Sequence, residues 1–383
     1  MVLDCRIITT EKGFDQLRGT WDAHMIKQPH LSFFLDFTWL NTWWHTYAGE
    51  NDHLYIVLLF EGDSLRAIAP FYIKDHTLRL IGTGEAEQEE VASEYLDIIC
   101  SPQHFDVVGT ALADVIMDCL FRHHQTSAPY CQKPTTQAKD IVLNNYLESS
   151  CLARFAKSMG RFFFHISRCV GTSYTCQLPA SQDEFHQQLS PSFKKKLKRH
   201  QNQWRRANSG QWERYRYLSE FDQGFAHLSR LHQLRWQSQG KQGVFSEPRF
   251  VDFHQQFMRQ ALMNNWLELW VLFARGQAIS AIYAITYNET CYFYQSGLDT
   301  DFKPNLSPGF LSHFLLIENC IERQIKYYDF MKGARENSYK QSFTNIKRDL
   351  FESRLVLKKA SNLGFVMNNK LKQARDFLLW KNQ

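Results

Sequence analysis

The stretch YQSGLDTDFKPNLSPGFLSHFLLIENCIERQIKYYDFMKGARENSYKQSF spans residues 294–343. Ser307 is a preferred helix N-cap, Pro308 suits a first helical turn, and Gly309 lets a ligand approach the backbone. Apolar residues at helical spacing follow, which predicts a helix over about 308–325 that packs on a sheet. Its N-terminus carries free N–H groups and the positive end of the helix dipole, which favours a phosphate site; the alternative is an ordinary capped helix.

The elements around this helix predict an α/β unit. Helices are predicted over 219–240 and from Pro248 onward. Three strands joined by short turns come next, at 267–274, 278–287 and 291–297, and further strands are predicted at 327–331 and 350–357. The order is therefore helix, helix, three antiparallel strands, the helix described above, and another strand.

The first half of the chain repeats this order. Residues 54–82 align with residues 267–297 when one small gap is allowed in each of two turns. Both stretches predict a meander of three strands. We also expect strands at 94–100, 139–145 and 162–168, and helices at about 105–123 and 146–159. We interpret the chain as α/β with mixed sheets, built from two duplicated domains, although any two meanders look alike. The predicted domains are 1–170 and 171–357, followed by a basic amphipathic tail at 358–383.

The composition is that of a folded, mildly basic protein. The 383 residues are 44% hydrophobic, with a net charge of +5, which suits two domains and does not require nucleic-acid binding. The nine cysteines have no paired spacing, which favours reduced thiols in the cytoplasm. We expect no signal peptide and no membrane helix. The sequence contains no H-E-x-x-H, Walker, G-x-G-x-x-G or G-x-S-x-G motif, so we predict no metal.

A family resemblance rests on several short motifs in a fixed order. They are SEYLDII (93–99), SPSFKKKLKR (190–199), LHQLRW (231–236), YQSGLD (294–299), LSPGFL (306–311) and YDFMKGARENSYKQSF (328–343). Over nearly the whole chain the sequence resembles the Fem-related, CelD-like GNAT acyltransferases, which are bacterial proteins often associated with cellulose or exopolysaccharide biosynthesis. The last motif differs from the usual D-F-x-x-G-x-x-x-Y-K by one or two extra residues between Gly333 and Tyr339-Lys340.

The resemblance implies two GNAT-like halves, of which the C-terminal half binds the acyl donor between strands 291–297 and 327–331. Acyl-CoA would be a co-substrate, with its pyrophosphate at the helix that starts near Ser307. The predicted donor-binding residues are Tyr294, Gln295, Ser296, Ser307, Gly309 and Phe310. The N-terminal half would be a degenerate partner that shapes the acceptor cleft, because its matching loop (85–90) is acidic.

N-acyl transfer requires a neutral amine, a donor to the oxyanion and a proton for the departing thiolate. Backbone N–H groups near Tyr294 to Ser296 are placed to polarise the thioester. Asp329 is predicted to accept the amine proton or orient the acceptor, or alternatively to form a salt bridge with Lys332 or Arg335. Lys340 is predicted to bind phosphate or stabilise the oxyanion, and Tyr339 to protonate the thiol; a surface lysine and a packed tyrosine are the alternatives.

A basic segment, SPSFKKKLKRHQNQWRR (190–206), holds seven Lys or Arg residues and no acid. It predicts an amphipathic hinge helix over 191–206, docked by Phe193, Leu197 and Trp204, with its cations in solvent or around an anionic ligand. The candidate partners are a CoA-type donor, an acyl carrier protein, a nucleotide-activated sugar or a tRNA acceptor stem, but not duplex DNA. The predicted substrate-binding residues are Arg235, Trp236, Lys195, Lys198 and Arg335.

The sequence thus favours an N-acyltransferase that moves an acyl group from acyl-CoA to an amine of a sugar or cell-envelope precursor. The alternatives are a Fem-like transferase that uses aminoacyl-tRNA and a non-catalytic scaffold. The tail at 358–383 either packs on its own domain or makes peripheral contact with the inner membrane.

Overall fold

The computed structural model describes residues 3–121, 137–206, 210–302, 306–333, 343–344, 346–364 and 366–368. The chain divides into two compact units. Unit 1 consists of Met1–Glu85, Val91–Gly171 and Asp349–Gln383, and unit 2 of Ala86–Glu90 and Thr172–Arg348.

Helices cover a large part of both units. Unit 1 contains α1 (Glu11–Gln16), α2 (Arg18–Met25), α3 (Phe37–Tyr47), α4 (Phe105–Ile116) and α5 (Cys151–Met159). Unit 2 contains α6 (Gln182–Gln188), α7 (Pro191–Arg206), α8 (Leu218–Gln237), α9 (Pro248–Met263) and α10 (Pro308–Glu322). Within the described residues, none of the helices has the length and apolar character needed to cross a membrane.

Each unit contains a mixed sheet. The strands of unit 1 are β1 (Asp4–Ile8), β2 (His53–Glu61), β3 (Ser64–Lys74), β4 (Thr77–Leu80), β5 (Ile99–Cys100) and β6 (Asp140–Leu147). β7 (Phe163–Gln177) begins in unit 1 and ends in unit 2. Unit 2 also contains β8 (Gln211–Arg214), β9 (Leu267–Ala274), β10 (Gln277–Tyr287), β11 (Thr290–Leu298) and β12 (Tyr327–Gly333). β13 (Ile346–Leu357) begins in unit 2 and ends in unit 1.

The strands of the two units have the same order and connectivity. In unit 1, β2, β3 and β4 form an antiparallel meander, and β6 then pairs with β4 in parallel. In unit 2, β9, β10 and β11 form the second meander, and β12 pairs with β11 in parallel. A helix precedes the parallel strand in both units, α4 in the first and α10 in the second. The duplicated α/β architecture with mixed sheets that the sequence predicts is confirmed.

Tight turns fix the register of both meanders. Asp75 and His76 join β3 to β4 with φ of 49° and 61°, and Arg275 and Gly276 join β9 to β10 with φ of 53° and 74°. Two consecutive residues with positive φ form the turn whose twist matches that of paired antiparallel strands. The hairpins are therefore set locally, by residues adjacent in sequence.

Three features differ from the expectations. Residues 349–357 belong to unit 1 and not to the C-terminal unit, because β13 pairs there with β6, for example Leu350 with Leu147. The strand expected at 94–100 is only Ile99–Cys100, because Ala92 and Tyr95 have positive φ and residues 91–98 form a loop. The helix expected from residue 146 begins at Cys151, where the Ser150 side chain accepts a hydrogen bond from the Ala153 N–H.

The cysteines also depart from the expectation in one place. Seven of them are free thiols, but Cys119 is disulfide-bonded. The prediction that all cysteines are reduced thiols is therefore wrong at Cys119. Since its spacing to other cysteines follows no known pattern, the sequence alone carries no signal for this bond.

The two faces of the unit 2 sheet are covered by different helices. A Cβ atom at Gly297 on β11 would overlap the backbone of His232 on α8, so α8 packs directly on this face. The neighbouring Leu298 points the other way, because its Cδ2 atom lies 3.3 Å from where a Cβ of Gly309 on α10 would be. Since side chains alternate along a strand, α8 and α10 lie on opposite faces of β11.

A buried carboxylate ties the sheet of unit 2 to α10. Glu268 on β9 is fully buried and accepts hydrogen bonds from Arg214 (3.0 Å) and Arg323 (2.5 Å). Thr286 and the Trp270 indole donate to the same carboxylate at 3.1 Å and 2.9 Å. These four donors balance the cost of removing the charge from water.

We expect Glu268→Gln to destabilise the protein by about 3–5 kcal/mol, because two arginines lose their counter-charge in a partly buried place. Denaturant unfolding measures the change. The control is Glu289→Gln, which breaks the exposed pair between Lys326 and Glu289 and should have little effect. Equal stability of the two variants would contradict this assignment.

Candidate functional site

Two neighbouring strands of unit 2 separate after a short parallel pairing. β11 and β12 pair at three positions, Thr290 with Tyr327, Cys291 with Tyr328, and Tyr292 with Asp329. β11 nevertheless continues to Leu298 and β12 to Gly333. We call the space between residues 293–298 and 330–333 the strand opening. In the described residues no further pair closes it, so backbone polar groups of both strands line it.

A β-bulge lies at the start of the strand opening. Tyr283 on β10 pairs with Gln295, whereas the next residue, Ala284, pairs with Phe293, so Tyr294 is an extra residue on β11. A bulge leaves one residue outside the ladder and turns its neighbours. Tyr294 points toward α9, where its hydroxyl lies 3.1 Å from Nε2 of His254, whereas Phe293 faces α10. Gln295 is half-buried beside it.

The histidine that contacts the bulge is neutral. Complete burial lowers the pKa of His254 well below its usual value. The Tyr283 hydroxyl also lies 3.5 Å from its Nδ1 atom. His254 therefore bridges two tyrosines and anchors the bulge from the α9 side, a role that the sequence analysis does not predict.

α10 begins at the far end of the strand opening. Pro308 is its first residue and Ser307 its N-cap, as the sequence predicts, and Gly309 contacts Leu298 at the end of β11. The Ser307 side chain makes no capping hydrogen bond. Its backbone N–H instead donates to Nδ1 of His200 on α7, at 3.3 Å. The positive end of the α10 dipole thus lies where β11 ends.

The basic helix α7 packs on this end of α10. The rings of Phe193 and Phe310 contact each other at 5.0 Å between centres, and the Lys196 ammonium lies 4.4 Å from the Phe310 ring centre. Burial, with smaller contributions from Arg199 and Lys196, lowers the pKa of His200, so a neutral imidazole accepts the Ser307 N–H. α7 therefore contributes directly to the structure of the α10 N-terminus.

The amphipathic character predicted for α7 is observed. Phe193 and Leu197 are buried, and the Trp204 indole donates to the Phe273 carbonyl at 2.9 Å. Lys195 and Lys198 are exposed, as are Lys194, Lys196, Arg199, Arg205 and Arg206. The helix thus presents a cationic surface close to the first turn of α10.

Aromatic side chains fill the α10 side of the strand opening. His313 on α10 lies 4.4 Å from Phe293 and 5.1 Å from Phe330, measured between ring centres. Its Nδ1 atom is 2.8 Å from the Tyr328 hydroxyl. His313 is not among the site residues predicted from the sequence, although a histidine on the apolar face of a helix is a visible signal.

Asp329 lies at the last position where β11 and β12 pair. Its carboxylate is fully buried and accepts hydrogen bonds from Arg348 (3.0 Å), Thr175 (3.0 Å) and the Met331 N–H (2.6 Å). Met331 has a φ of 58°, and the pairing of β12 with β7 is interrupted between Asp329 and Lys332. The carboxylate therefore holds a bulge in β12 opposite the bulge in β11, and its ion-pair partner is Arg348.

Two predicted substrate-binding residues lie at the end of α8. Arg235 donates to the Ser296 hydroxyl at 3.3 Å, which brings two predicted site residues together. The Trp236 indole donates to Nε2 of His232 at 2.9 Å. Trp236 thus stabilises the last turn of its own helix. The predicted residues Arg335, Tyr339 and Lys340 lie outside the described residues.

Comparison with known proteins covers both the sequence and the fold. Residues 191–341 match the family described as Acetyltransferase (GNAT) domain. A search among curated protein sequences finds no match. The structure is similar to FemX, with a TM-score of 0.58 and 10% identity over 96% of this chain and 100% of FemX.

A second similar structure is a conserved protein of unknown function from Bacteroides thetaiotaomicron, with a TM-score of 0.54 and 13% identity over 92% of this chain and 100% of that protein. At such identities the likeness concerns the fold alone. The tandem GNAT-like fold predicted from the sequence is confirmed. The acetyltransferase domain matched at 191–341 thus contains α7, α10 and the strand opening between β11 and β12.

Proposed function

We propose that the protein is an N-acyltransferase that transfers an acyl group from acyl-CoA to an amine of a sugar, cell-envelope or exopolysaccharide precursor. The strand opening carries this proposal. It lies between two strands that no longer pair with each other, beside a bulge, and ends at a helix N-terminus, which suits a thioester donor with a pyrophosphate. The domain match at 191–341 supports the same activity.

The proposed reaction is a direct attack of the amine nitrogen on the thioester carbonyl carbon. A C–N bond forms, the C–S bond breaks, the amine loses a proton and the thiolate gains one. Backbone N–H groups at the Tyr294 bulge stabilise the oxyanion, Tyr339 protonates the thiolate, and Lys340 binds donor phosphate or supports the oxyanion. Because three donors already engage its carboxylate, Asp329 is better suited to position β12 than to accept the amine proton.

We expect saturable binding of acetyl-CoA or a longer acyl-CoA, and its loss in Gly309→Leu. A Cβ at this position already lies 3.3 Å from Leu298, so a larger side chain must displace Leu298 and disturb the first turn of α10. Calorimetric titration measures the binding. At one hundred times the Kd, the ligand should add about 2.7 kcal/mol of stability, visible in thermal unfolding.

Gly19→Leu is the control, because a Cβ at Gly19 in α2 meets nothing within 4 Å. This variant should bind acyl-CoA like the parent protein. A parent protein that binds no acyl-CoA would exclude the CoA donor, and unchanged binding by Gly309→Leu would exclude the α10 N-terminus as the phosphate site.

A Fem-like transfer from aminoacyl-tRNA is the second candidate, and the cationic surface of α7 favours it. Binding of tRNA releases counterions, so the logarithm of its affinity should fall with log salt by about 0.7 per phosphate contacted. We expect the Lys195→Gln/Lys198→Gln variant to lower this slope by about 0.7 per lysine, if each lysine contacts one phosphate. Fluorescence anisotropy with bulk tRNA over a salt series measures it.

The exposed unit 1 lysines Lys12 and Lys157 give the matched control pair. Their replacement by Gln should leave the salt slope unchanged. If tRNA fails to bind while CoA binds with a shallow salt dependence, the tRNA candidate is excluded.

A scaffold without catalysis makes a different prediction in cells. Under the acyltransferase proposal we expect Lys340→Ala and Asp329→Asn to abolish complementation of a deletion strain. Thermal unfolding of both purified variants checks that they fold. Full complementation by folded variants would support the scaffold and contradict catalysis by this site.

A further inference from the structure

Arg235 differs from Arg214 and Arg323, two other half-buried arginines of unit 2, which share Glu268. The exposed Arg348 also has an acidic partner, Asp329. Arg235 forms no ion pair with any described acid, and its side-chain hydrogen bond goes to the neutral Ser296 hydroxyl, at 3.3 Å. Most of its five N–H donors are therefore left for another partner.

The guanidinium reaches Ser296 at the edge of β11. Ser296 and Leu298 pair with Ile282 and Ser280, two residues apart on β10, so they share the face that α10 covers. Arg235 comes from α8, which packs on the opposite face at Gly297. Its side chain must therefore pass the edge of β11 that β12 leaves free. This places the guanidinium at the strand opening beside Ser296, whose backbone lies two residues, or about 7 Å, along β11 from Tyr294.

The surroundings hold this arginine in place. α8 approaches β11 closely because Gly297 has no side chain. The Trp236 indole donates to His232, whose pKa burial lowers to about 4, so the ring stays a neutral acceptor. An arginine on such an ordered turn is preorganised, which lowers the entropic cost of binding a ligand.

We propose that Arg235, with Ser296, binds a carboxylate carried by the transferred acyl group or by the amine acceptor. This proposal rests on the proposed function. A planar guanidinium with free donors matches a carboxylate with two parallel hydrogen bonds. The donor phosphates belong at Gly309, beyond Leu298, whereas Ser296 lies between that position and the bulge where the carbonyl reacts. A charged group at Ser296 is thus part of the reacting molecules and not of the CoA nucleotide.

The first arm of the test uses two unreactive donors. S-propyl-CoA and S-(2-carboxyethyl)-CoA differ only in a terminal methyl or carboxylate. If the acyl group carries the charge, calorimetry should show about tenfold or more tighter binding of the carboxylate form, since hydrogen bonds to charged groups are strong. Arg235→Met should remove this preference and leave the affinity for S-propyl-CoA unchanged.

The second arm uses two acceptors, titrated with and without saturating CoA. Glucosamine and muramic acid share the amino sugar, and muramic acid adds a carboxylate. If the acceptor carries the charge, muramic acid should bind about tenfold or more tighter, and only Arg235→Met should lose this preference. Arg230→Met is the control in both arms, because Arg230 lies on the same helix but donates to the Ala278 carbonyl on β10, away from β12.

Two results would overturn the proposal. One is the absence of a carboxylate preference in both arms. The other is an equal loss of affinity for charged and neutral donors in Arg235→Met, which would assign the guanidinium to the CoA portion. Failure of the proposed function gives a different result, because the parent protein then does not bind CoA. In that case the titration of the acceptors without CoA still tests Arg235. Thermal unfolding of each variant verifies its fold.

Discussion

The early separation of β11 from β12 is the constraint on which the rest of unit 2 depends. Where two strands stop pairing with each other, their backbone N–H and C=O groups must find other partners, because unsatisfied groups are costly. Something must also prevent the two strands from closing. The structure does this from both sides, with the Asp329 carboxylate on β12 and the Tyr294–His254 contact on β11. The ring of His313 contacts both Phe293 and Phe330 on the α10 side of the strand opening.

The same constraint explains why α7 and α10 are coupled. An exposed helix N-terminus beside the strand opening needs acceptors for its N–H groups, and the Ser307 side chain supplies none. His200 of α7 accepts the Ser307 N–H, and Phe310 packs between Phe193 and Lys196. A helix rich in lysine is thereby held beside the first turn of α10.

The two units show how one wiring supports different local chemistry. In unit 1 the parallel pairing of β4 with β6 involves Thr77 with Asp140 and Leu78 with Ile141. Residues 91–98 form a mostly buried loop, in which Asp97 accepts the N–H groups of Cys151 and Leu152 at the start of α5. Burial raises the pKa of Asp97 to about 7. The side chain of Asp97 thus lies at the N-terminus of α5, the helix that follows the parallel strand of unit 1. In unit 2 the N-terminus of α10, the helix that precedes the parallel strand, adjoins the strand opening.

The sequence alone determined the features that depend on near neighbours. Local residue types and periodicity account for the turns of both meanders, for the start of α10 at Pro308 and for the apolar face of α7 at Phe193 and Leu197. Only the tertiary structure decided that Asp329 pairs with Arg348, that His200 meets Ser307 and that Arg235 reaches Ser296. These partners lie 19, 107 and 61 residues apart. Their contacts depend on strand register, on one bulge residue and on the closure of long loops, and local propensity carries no information about these.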